Sequence, residues 1–319
     1  MMLGRREFLK MSAAAGAIAA LPVPATAKVV NGIPYRRLGK VGAEVSLLGI
    51  GGAHIGGEKM SEAEAIKIMR TAVDEGINFF DNAWEYQAGR SEERMGLAMK
   101  DGYRDKVFLM TKVLGRSTEN AQKQLETSLK RMQVDVIDLW QIHSVGTFDP
   151  DDKGKVYTKG VIDVALKAKE QGKIKHIGFT GHVDPEVHIA VMEGGFDWET
   201  IQFPVNCLDP HRKSFIKNVI PKAQEYDLGI IAMKTLAGGG VLRTAAISPE
   251  DALRFAMSMP VSVVISGMDS FDTFQRNLTI AKTFQQMDPS AIAAFLDHTK
   301  TFGEQTQFED YKRKDKPVA

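Results

Sequence analysis

One cysteine, Cys207, stands in 319 residues. A lone thiol excludes an internal disulfide and any zinc or iron–sulfur site built on cysteines, and it reads as a buried structural group rather than a nucleophile. An excess of one charge is equally lacking. Lys and Arg number 41 against 40 Asp and Glu, a net charge of +1. That balance gives no pull toward nucleic acid or an acidic membrane surface. Past the N-terminus no run of 18 apolar residues occurs, so no transmembrane helix is expected. The seven histidines form neither H-x-H nor H-E-x-x-H, which argues against a metal hydrolase. No G-x-G-x-x-G follows a first strand, so a doubly wound dinucleotide fold lacks its signature. No repeat beyond a strand–helix unit and no interdomain linker appear.

What is present is ordinary globular composition, 44% hydrophobic and 25% charged. Apolar, β-branched runs recur at Val45–Ile50, Asn78–Asp81, Val107–Thr111, Val136–Ile142, Ile174–Thr180, Thr200–Phe203, Gly229–Met233 and Val261–Ser266. Such runs read as strands buried on both faces of a parallel sheet. Helical signals lie between them. Ser61 with Glu64 has the spacing of a capping box. Ala65, Ile66, Met69, Ala72 and Val73 form one apolar stripe, and Gly76 ends that helix. Ala121, Leu125, Leu129 and Met132 form another stripe. Asp184-Pro185 and Ser248-Pro249-Glu250 open two further helices. Eight strands alternating with helices predict an α/β (β/α)₈ TIM barrel. Asn31-Gly32 between apolar residues predicts an N-terminal β-hairpin, placed across the N-terminal mouth of the barrel. Ser290–Phe302 predicts an added helix, and the mixed charges of Glu309–Lys316 predict a loosely ordered tail.

Asp81, Tyr86, Lys112 and His143 sit at or just beyond the C-terminal ends of successive strands. In a barrel those ends converge on the face where chemistry is done. A carboxylate, a phenol, an amine and an imidazole gathered there can deliver a proton to a carbonyl oxygen. Such a group needs a hydride donor, which points to a reductase. Tyrosine is a poor acid, with an ordinary pKa of about 10. A cationic Lys112 beside it would favour phenolate, and Asp81 would balance that lysine in an apolar mouth. His143 could orient the carbonyl. Three glycines, Gly238-Gly239-Gly240, could let backbone approach a pyrophosphate closely. Asp138 and Trp140 share the His143 strand and read as structural and pocket-facing respectively.

The segment Gly76-Ile77-Asn78-Phe79-Phe80-Asp81-Asn82-Ala83-Trp84-Glu85-Tyr86 closely resembles the signature of the aldo-keto reductase family. The runs ending in Lys112 and His143 are similar to the family's third and fourth strands. The resemblance covers essentially the whole chain from residue 28 onward. It implies an NAD(P)H-dependent reduction of aldehydes or ketones to alcohols, with Tyr86 as general acid. It further implies that Thr180, Gln202, Met233, Gly238, Gly239, Arg276 and Asn277 hold the cofactor. Met233 stands where an aromatic usually stacks on the nicotinamide. The usual Lys-Ser and Arg contacts to a 2′-phosphate are replaced by Gly267, Met268 and Thr273. NADP(H) is the family's expectation, and NAD(H) stays open. His54, Ile55, Trp84, Trp140 and Phe148 are candidate substrate walls, and the short loop Val113–Ser117 suggests an open pocket.

Arg5-Arg6-Glu7-Phe8-Leu9-Lys10, the soft apolar Met11–Leu21 segment and Ala25-Thr26-Ala27 together resemble a twin-arginine (Tat) signal peptide. That resemblance implies residues 1–27 as a leader and 28–319 as the barrel domain. It also implies export of the folded protein by the Tat translocase to the periplasm or another extracytoplasmic space, with no stable membrane insertion after cleavage. Free nicotinamide cofactor is expected to be scarce there. This motivates an alternative, an exported nicotinamide-binding barrel acting as a redox sensor or partner-binding protein with little turnover.

Overall fold

The structure is a computed structural model that describes residue 18, residues 21–146 and residues 159–313. The twin-arginine run and Phe148 lie outside the described residues. Ala25-Thr26-Ala27 is exposed and irregular.

Strands β1 (Lys28–Val30), β2 (Ile33–Arg37) and β3 (Glu44–Ser46) form an antiparallel sheet in the order β1-β2-β3. Asn31 and Gly32, with φ of 49° and 86°, make the tight turn that the Asn-Gly pair predicts, because both central residues must adopt positive φ. Strands β4 (Leu48–Gly51), β5 (Phe79–Asp81), β6 (Phe108–Val113), β7 (Ile137–Ile142), β8 (Ile174–Thr180), β9 (Thr200–Pro204), β10 (Gly229–Met233) and β11 (Val263–Gly267) follow. They close into an eight-stranded barrel, each paired parallel with its neighbour and β11 returning to β4. The predicted (β/α)₈ fold is the observed one.

The predicted first strand, Val45–Ile50, is two strands. Val45 and Ser46 pair antiparallel with β2. Leu47 N–H donates to the Pro34 carbonyl at 2.8 Å, and the chain enters the barrel at Leu48. A continuous apolar run carries no mark of the point where its backbone changes partner.

The hairpin sheet does cover the barrel floor. Leu38 and Val45 join the inner cluster of Phe79, Met110, Leu139, Ile231, Val263 and Ile265. A Cβ on Gly229 would lie 2.7 Å from the Leu38 side chain, so the plug requires glycine there. The larger outer core lies between strands and helices. Trp140 belongs to it, with Ile142 and Ile177. The pocket-facing reading of Trp140 is therefore wrong. Leu139 points inward, so its neighbour Trp140 points at the helices, as strand alternation requires.

Among the helices, α1 (Gly52–Ile55) is short, and α2 (Glu62–Asp74) buries Ala65, Met69, Ala72 and Val73 of the predicted stripe, with Ile68 buried where half-buried Ile66 was expected. Ser61 caps α2 by accepting from Glu64 N–H at 3.1 Å. The Glu64 carboxylate does not complete the box. It accepts from Phe271 N–H at 3.2 Å, at the start of a helix over Phe271–Lys282. Helices α3 (Arg90–Ala98), α4 (Thr118–Met132), α5 (Lys159–Glu170), α6 (Pro185–Glu193), α7 (Phe215–Glu225), α8 (Gly240–Thr244), α9 (Pro249–Ser258), α10 (Phe271–Lys282) and α11 (Pro289–Gly303) complete the described set. The caps predicted at Asp184 and Ser248 accept from Glu186 and Asp251 N–H.

The C-terminal tail is not loosely ordered where it is described. Residues 306–312 form 3₁₀ turns that bury Phe308, Glu309 and Lys312. Lys312 Nζ reaches Asp209 Oδ1 at 2.7 Å, Glu309 Oε2 at 2.9 Å and the Arg212 carbonyl at 2.9 Å. Mixed charge in sequence suggested solvent, but these charges neutralise one another inside the protein. The same strap explains Gly240, where a Cβ would lie 1.8 Å from the Phe308 carbonyl oxygen.

Candidate active site

Asp81 ends β5, Lys112 lies one residue before the end of β6, and His143 follows β7. Tyr86 sits in the 3₁₀ turn Tyr86–Gly89 after β5. The fold brings all four together. Lys112 Nζ bonds the Asp81 carboxylate, donates to the Asn82 carbonyl at 2.7 Å, and lies 3.3 Å from Tyr86 Oη. The Tyr86 and His143 rings meet edge to face, with centroids 5.9 Å apart.

Burial dominates the electrostatics. It raises the Tyr86 pKa, and Asp81 and Glu85 add to the rise. Lys112 opposes it, yet the phenol is pushed up to about 12. Tyr86 is thus held as the protonated acid, contrary to a simple expectation of net lowering by lysine. Burial also works against the Lys112 charge, but attraction to Asp81, Tyr86 and Glu85 prevails and raises it to about 12. His143 is lowered by burial, and Glu85 only partly offsets this.

Glu85 is a site residue that the motif reading passed over. Its carboxylate abuts His143 Nδ1. Burial raises the Glu85 pKa, but contact with His143 outweighs it and holds the group lowered. A Glu adjoining the tyrosine was visible in sequence. What it would touch was not, because its partner comes from 58 residues along the chain.

A cavity of about 1130 Å³ opens beside this cluster. Its wall includes Asp81 and Tyr86, then Met233, Lys234, Gly238 and Gly239, then Arg276 and Asn277. Its length runs from the proton donor to the side of α10. Gly238 and Gly239 have φ of 62° and 88°, so the loop they form favours residues without a Cβ. Asn277 Nδ2 donates to Ser266 Oγ at 3.0 Å, and exposed Arg276 donates to Thr273 Oγ1 at 3.1 Å.

Thr180 and Gln202 stand apart from the cavity lining, and both are fully buried. Gln202 Nε2 donates to Asp81 Oδ2 at 2.7 Å. Gln202 Oε1 and Thr180 Oγ1 have no hydrogen-bond partner. Buried orphaned polar atoms are uncommon and mark places where a ligand group fits. A hydroxyl and an amide oxygen can serve the two edges of a carboxamide, so these residues fit a nicotinamide. Of the substrate-wall candidates, His54 lines the cavity, whereas Ile55, Trp84 and Trp140 do not. Among the described residues no group of His, Cys, Asp and Glu could hold a metal ion, and no helix is long and apolar enough to cross a membrane.

Residues 47–252 match the aldo/keto reductase family. The chain is 30% identical over 230 residues to the uncharacterized oxidoreductase YrpG of Bacillus subtilis, covering 64% of this chain and 67% of that protein. It is 30% identical over 219 residues to the aldo-keto reductase YhdN of the same organism, covering 64% and 62%. The match therefore spans about two thirds or less of these relatives' own length. Among solved structures it resembles PA4992, a putative aldo-keto reductase of Pseudomonas aeruginosa. There the TM-score is 0.65 and the identity 26%, over 80% of this chain and 97% of that one.

Proposed function

The chain belongs to the aldo/keto reductase family, and from that premise we propose that it reduces aldehydes or ketones to alcohols with NAD(P)H. The observation that carries the reading is the buried Asp81–Lys112–Tyr86 chain opening onto an elongated cavity. Bound nicotinamide supplies hydride. The protein's residues handle the proton. Tyr86 keeps its proton at neutral pH and passes it to the carbonyl oxygen. Lys112 stabilises the phenolate left behind, and Asp81 keeps Lys112 charged and in place. His143, steadied by Glu85, orients the carbonyl. Thr180 and Gln202 would hold the carboxamide, Met233 would pack on the ring, Gly238 and Gly239 would face the pyrophosphate, and Arg276 and Asn277 would hold the adenosine end. NADP(H) is the first choice and NAD(H) the second.

The test is absorbance at 340 nm with NADPH, then NADH, and benzaldehyde, with Tyr86→Phe alongside. Consumption that vanishes in the variant is the expected result. Consumption that persists unchanged would remove Tyr86 from its role, and none with either cofactor would favour the redox-sensor reading.

Export follows from the twin-arginine run. The protein would leave the cytoplasm folded, through the Tat translocase, with its cofactor already loaded. Fractionation of cells carrying Arg5→Lys together with Arg6→Lys tests this, with retention in the cytoplasm as the expected outcome.

A further inference from the structure

Asp81 and Lys112 stand on barrel strands, which the closed sheet fixes, but Tyr86 stands on a turn. That turn holds Gln87, Ala88 and Gly89 in the left-handed region, with φ of 53°, 56° and 96°. Two of the three carry a Cβ, and such a conformation persists only where its surroundings hold it. Arg131, in the last turn of α4, grips it at both flanks. Its Nη1 donates to the Trp84 carbonyl at 2.9 Å, and its guanidinium carbon lies 5.5 Å from the centre of the Trp84 ring. At the other flank a Cβ on Gly89 would lie 2.2 Å from that same carbon, so Gly89 packs directly on the guanidinium. The Trp84 N–H in turn donates to the Lys112 carbonyl at 3.1 Å. Arg131 is itself held. Its Nη1 lies 3.2 Å from Glu92 Oε2, and Glu92, fully buried at the start of α3, accepts from Thr111 Oγ1 at 2.7 Å. Thr111 precedes Lys112 on β6. Its side chain faces the helices because that of Lys112 faces the site.

Resting on the reductase reading above, we propose that Arg131 is a positioning residue for the proton donor: through Glu92 and Thr111 it ties the Tyr86 turn to the strand that carries Lys112. The need is geometric. Tyr86 Oη lies 3.3 Å from Lys112 Nζ, and a displacement of about 1 Å at such a donor can remove most of the rate. The other side-chain ties of this segment run elsewhere. Gln87 Nε2 donates to the Ala53 carbonyl at 3.1 Å and Arg90 Nε to the Gly56 carbonyl at 2.6 Å, which binds the turn to the segment after β4 and not to β6. A guanidinium suits the link to β6, because its planar fork serves a carbonyl and a carboxylate at once and stays charged. Arg131, Glu92 and Thr111 stand outside the cavity wall, whereas Tyr86 is part of it. Their effect on a substrate therefore passes through the phenol.

Substitution of Arg131 in two backgrounds tests the proposal. Arg131→Met should lower kcat for benzaldehyde by about 10- to 100-fold and leave the NADPH dissociation constant, read by fluorescence titration, within about twofold. That variant strands a buried carboxylate, so Arg131→Met combined with Glu92→Gln is measured beside it and should show the same loss. In a Tyr86→Phe background the Arg131 substitution should cost nothing further, because an effect exerted through the phenol disappears with the phenol. A merely structural change would slow both backgrounds alike. A readout without turnover comes from NMR of protein labelled with carbon-13 in the tyrosine rings. The Tyr86 signal, identified by its loss in Tyr86→Phe, should shift or broaden in the Arg131→Met, Glu92→Gln protein while the other tyrosine signals stay in place. An unchanged kcat would overturn the proposal. So would additive losses in the two backgrounds, a loss of NADPH binding equal to the loss of rate, or a Tyr86 signal that does not move. If the unaltered protein reduces no aldehyde, the reductase reading fails, and the tyrosine spectrum still decides whether Arg131 holds the phenol in place.

Discussion

The barrel top holds two buried Asp–Lys–Tyr groups that differ in what surrounds the lysine. In the first, Lys112 has one carboxylate, Asp81, and its third contact is the Tyr86 hydroxyl. In the second, Lys312 has two carboxylates, and the nearby Tyr311 hydroxyl donates to one of them instead. Tyr86 and Asp81 reach the cavity wall, whereas Asp209, Glu309 and Lys312 do not. Burial raises both phenols, but Lys112 restrains the rise at Tyr86 while Glu309 adds to it at Tyr311. The same residue types therefore make a proton donor in one place and a clasp in the other. Saturation of the lysine and access to a cavity decide which.

That contrast can be broken most sharply at the two central residues. Tyr86→Phe should lower kcat for carbonyl reduction by about 10²–10⁴-fold, with the thermal melt little changed; steady-state kinetics beside circular dichroism would show it. Lys312→Met should act on stability instead. It leaves Asp209 and Glu309 buried without their counter-charge, at a cost of about 3–5 kcal/mol. Urea unfolding measures this, and a loss below about 1 kcal/mol would mean the clasp is not what holds the strap.

Acid should loosen both regions through histidines. His188 and His211 are lowered to about 4, chiefly by burial, and His143 and His182 are lowered too. The unfolded chain binds these protons first, near the ordinary value of about 6.5. Stability is therefore full above that pH and falls as pH drops toward about 4. His188 alone should contribute on the order of 3 kcal/mol to that loss. Urea midpoints taken along this range check the slope, and His188→Phe should flatten it.

The smallest effect sharpens the first cluster. Glu85→Gln removes the anion that raises His143, so the imidazole pKa should fall further, as followed by NMR of the ring nitrogens. We expect kcat/KM for reduction to drop by about threefold to tenfold. An unmoved histidine titration would show that Glu85 does not act on it.

Much of this molecule is legible in its sequence. The apolar runs placed all eight barrel strands within a few residues, because strands buried on both faces must be apolar throughout. Asn31-Gly32, Ser61, Gly76, Asp184 and Ser248 announced their turns and caps through local backbone chemistry. Asp81, Tyr86, Lys112 and His143 could be placed at strand ends by counting alone. The family's cofactor positions were less legible. Gln202 and Thr180 are buried behind the site and not in the cavity wall, and a motif cannot say which hydrogen bonds its residues make. Trp140 faces the helices because Leu139, its neighbour on the same strand, faces inward, and a residue type alone does not fix that parity.

The sequence by itself determined what is local: the strand and helix order, the hairpin turn, the helix caps, and the residue types gathered at one barrel end. Tertiary structure alone decided which charges meet. Asp209 and Lys312 lie 103 residues apart and His182 and Tyr311 129, and Glu85 after β5 finds His143 after β7 only because the barrel sets those strands side by side with β6. Local periodicity reports whether a side chain faces inward or outward. The sign of a pKa shift, and whether a lysine is satisfied, depends on burial and on charges brought within a few ångströms by the closed barrel.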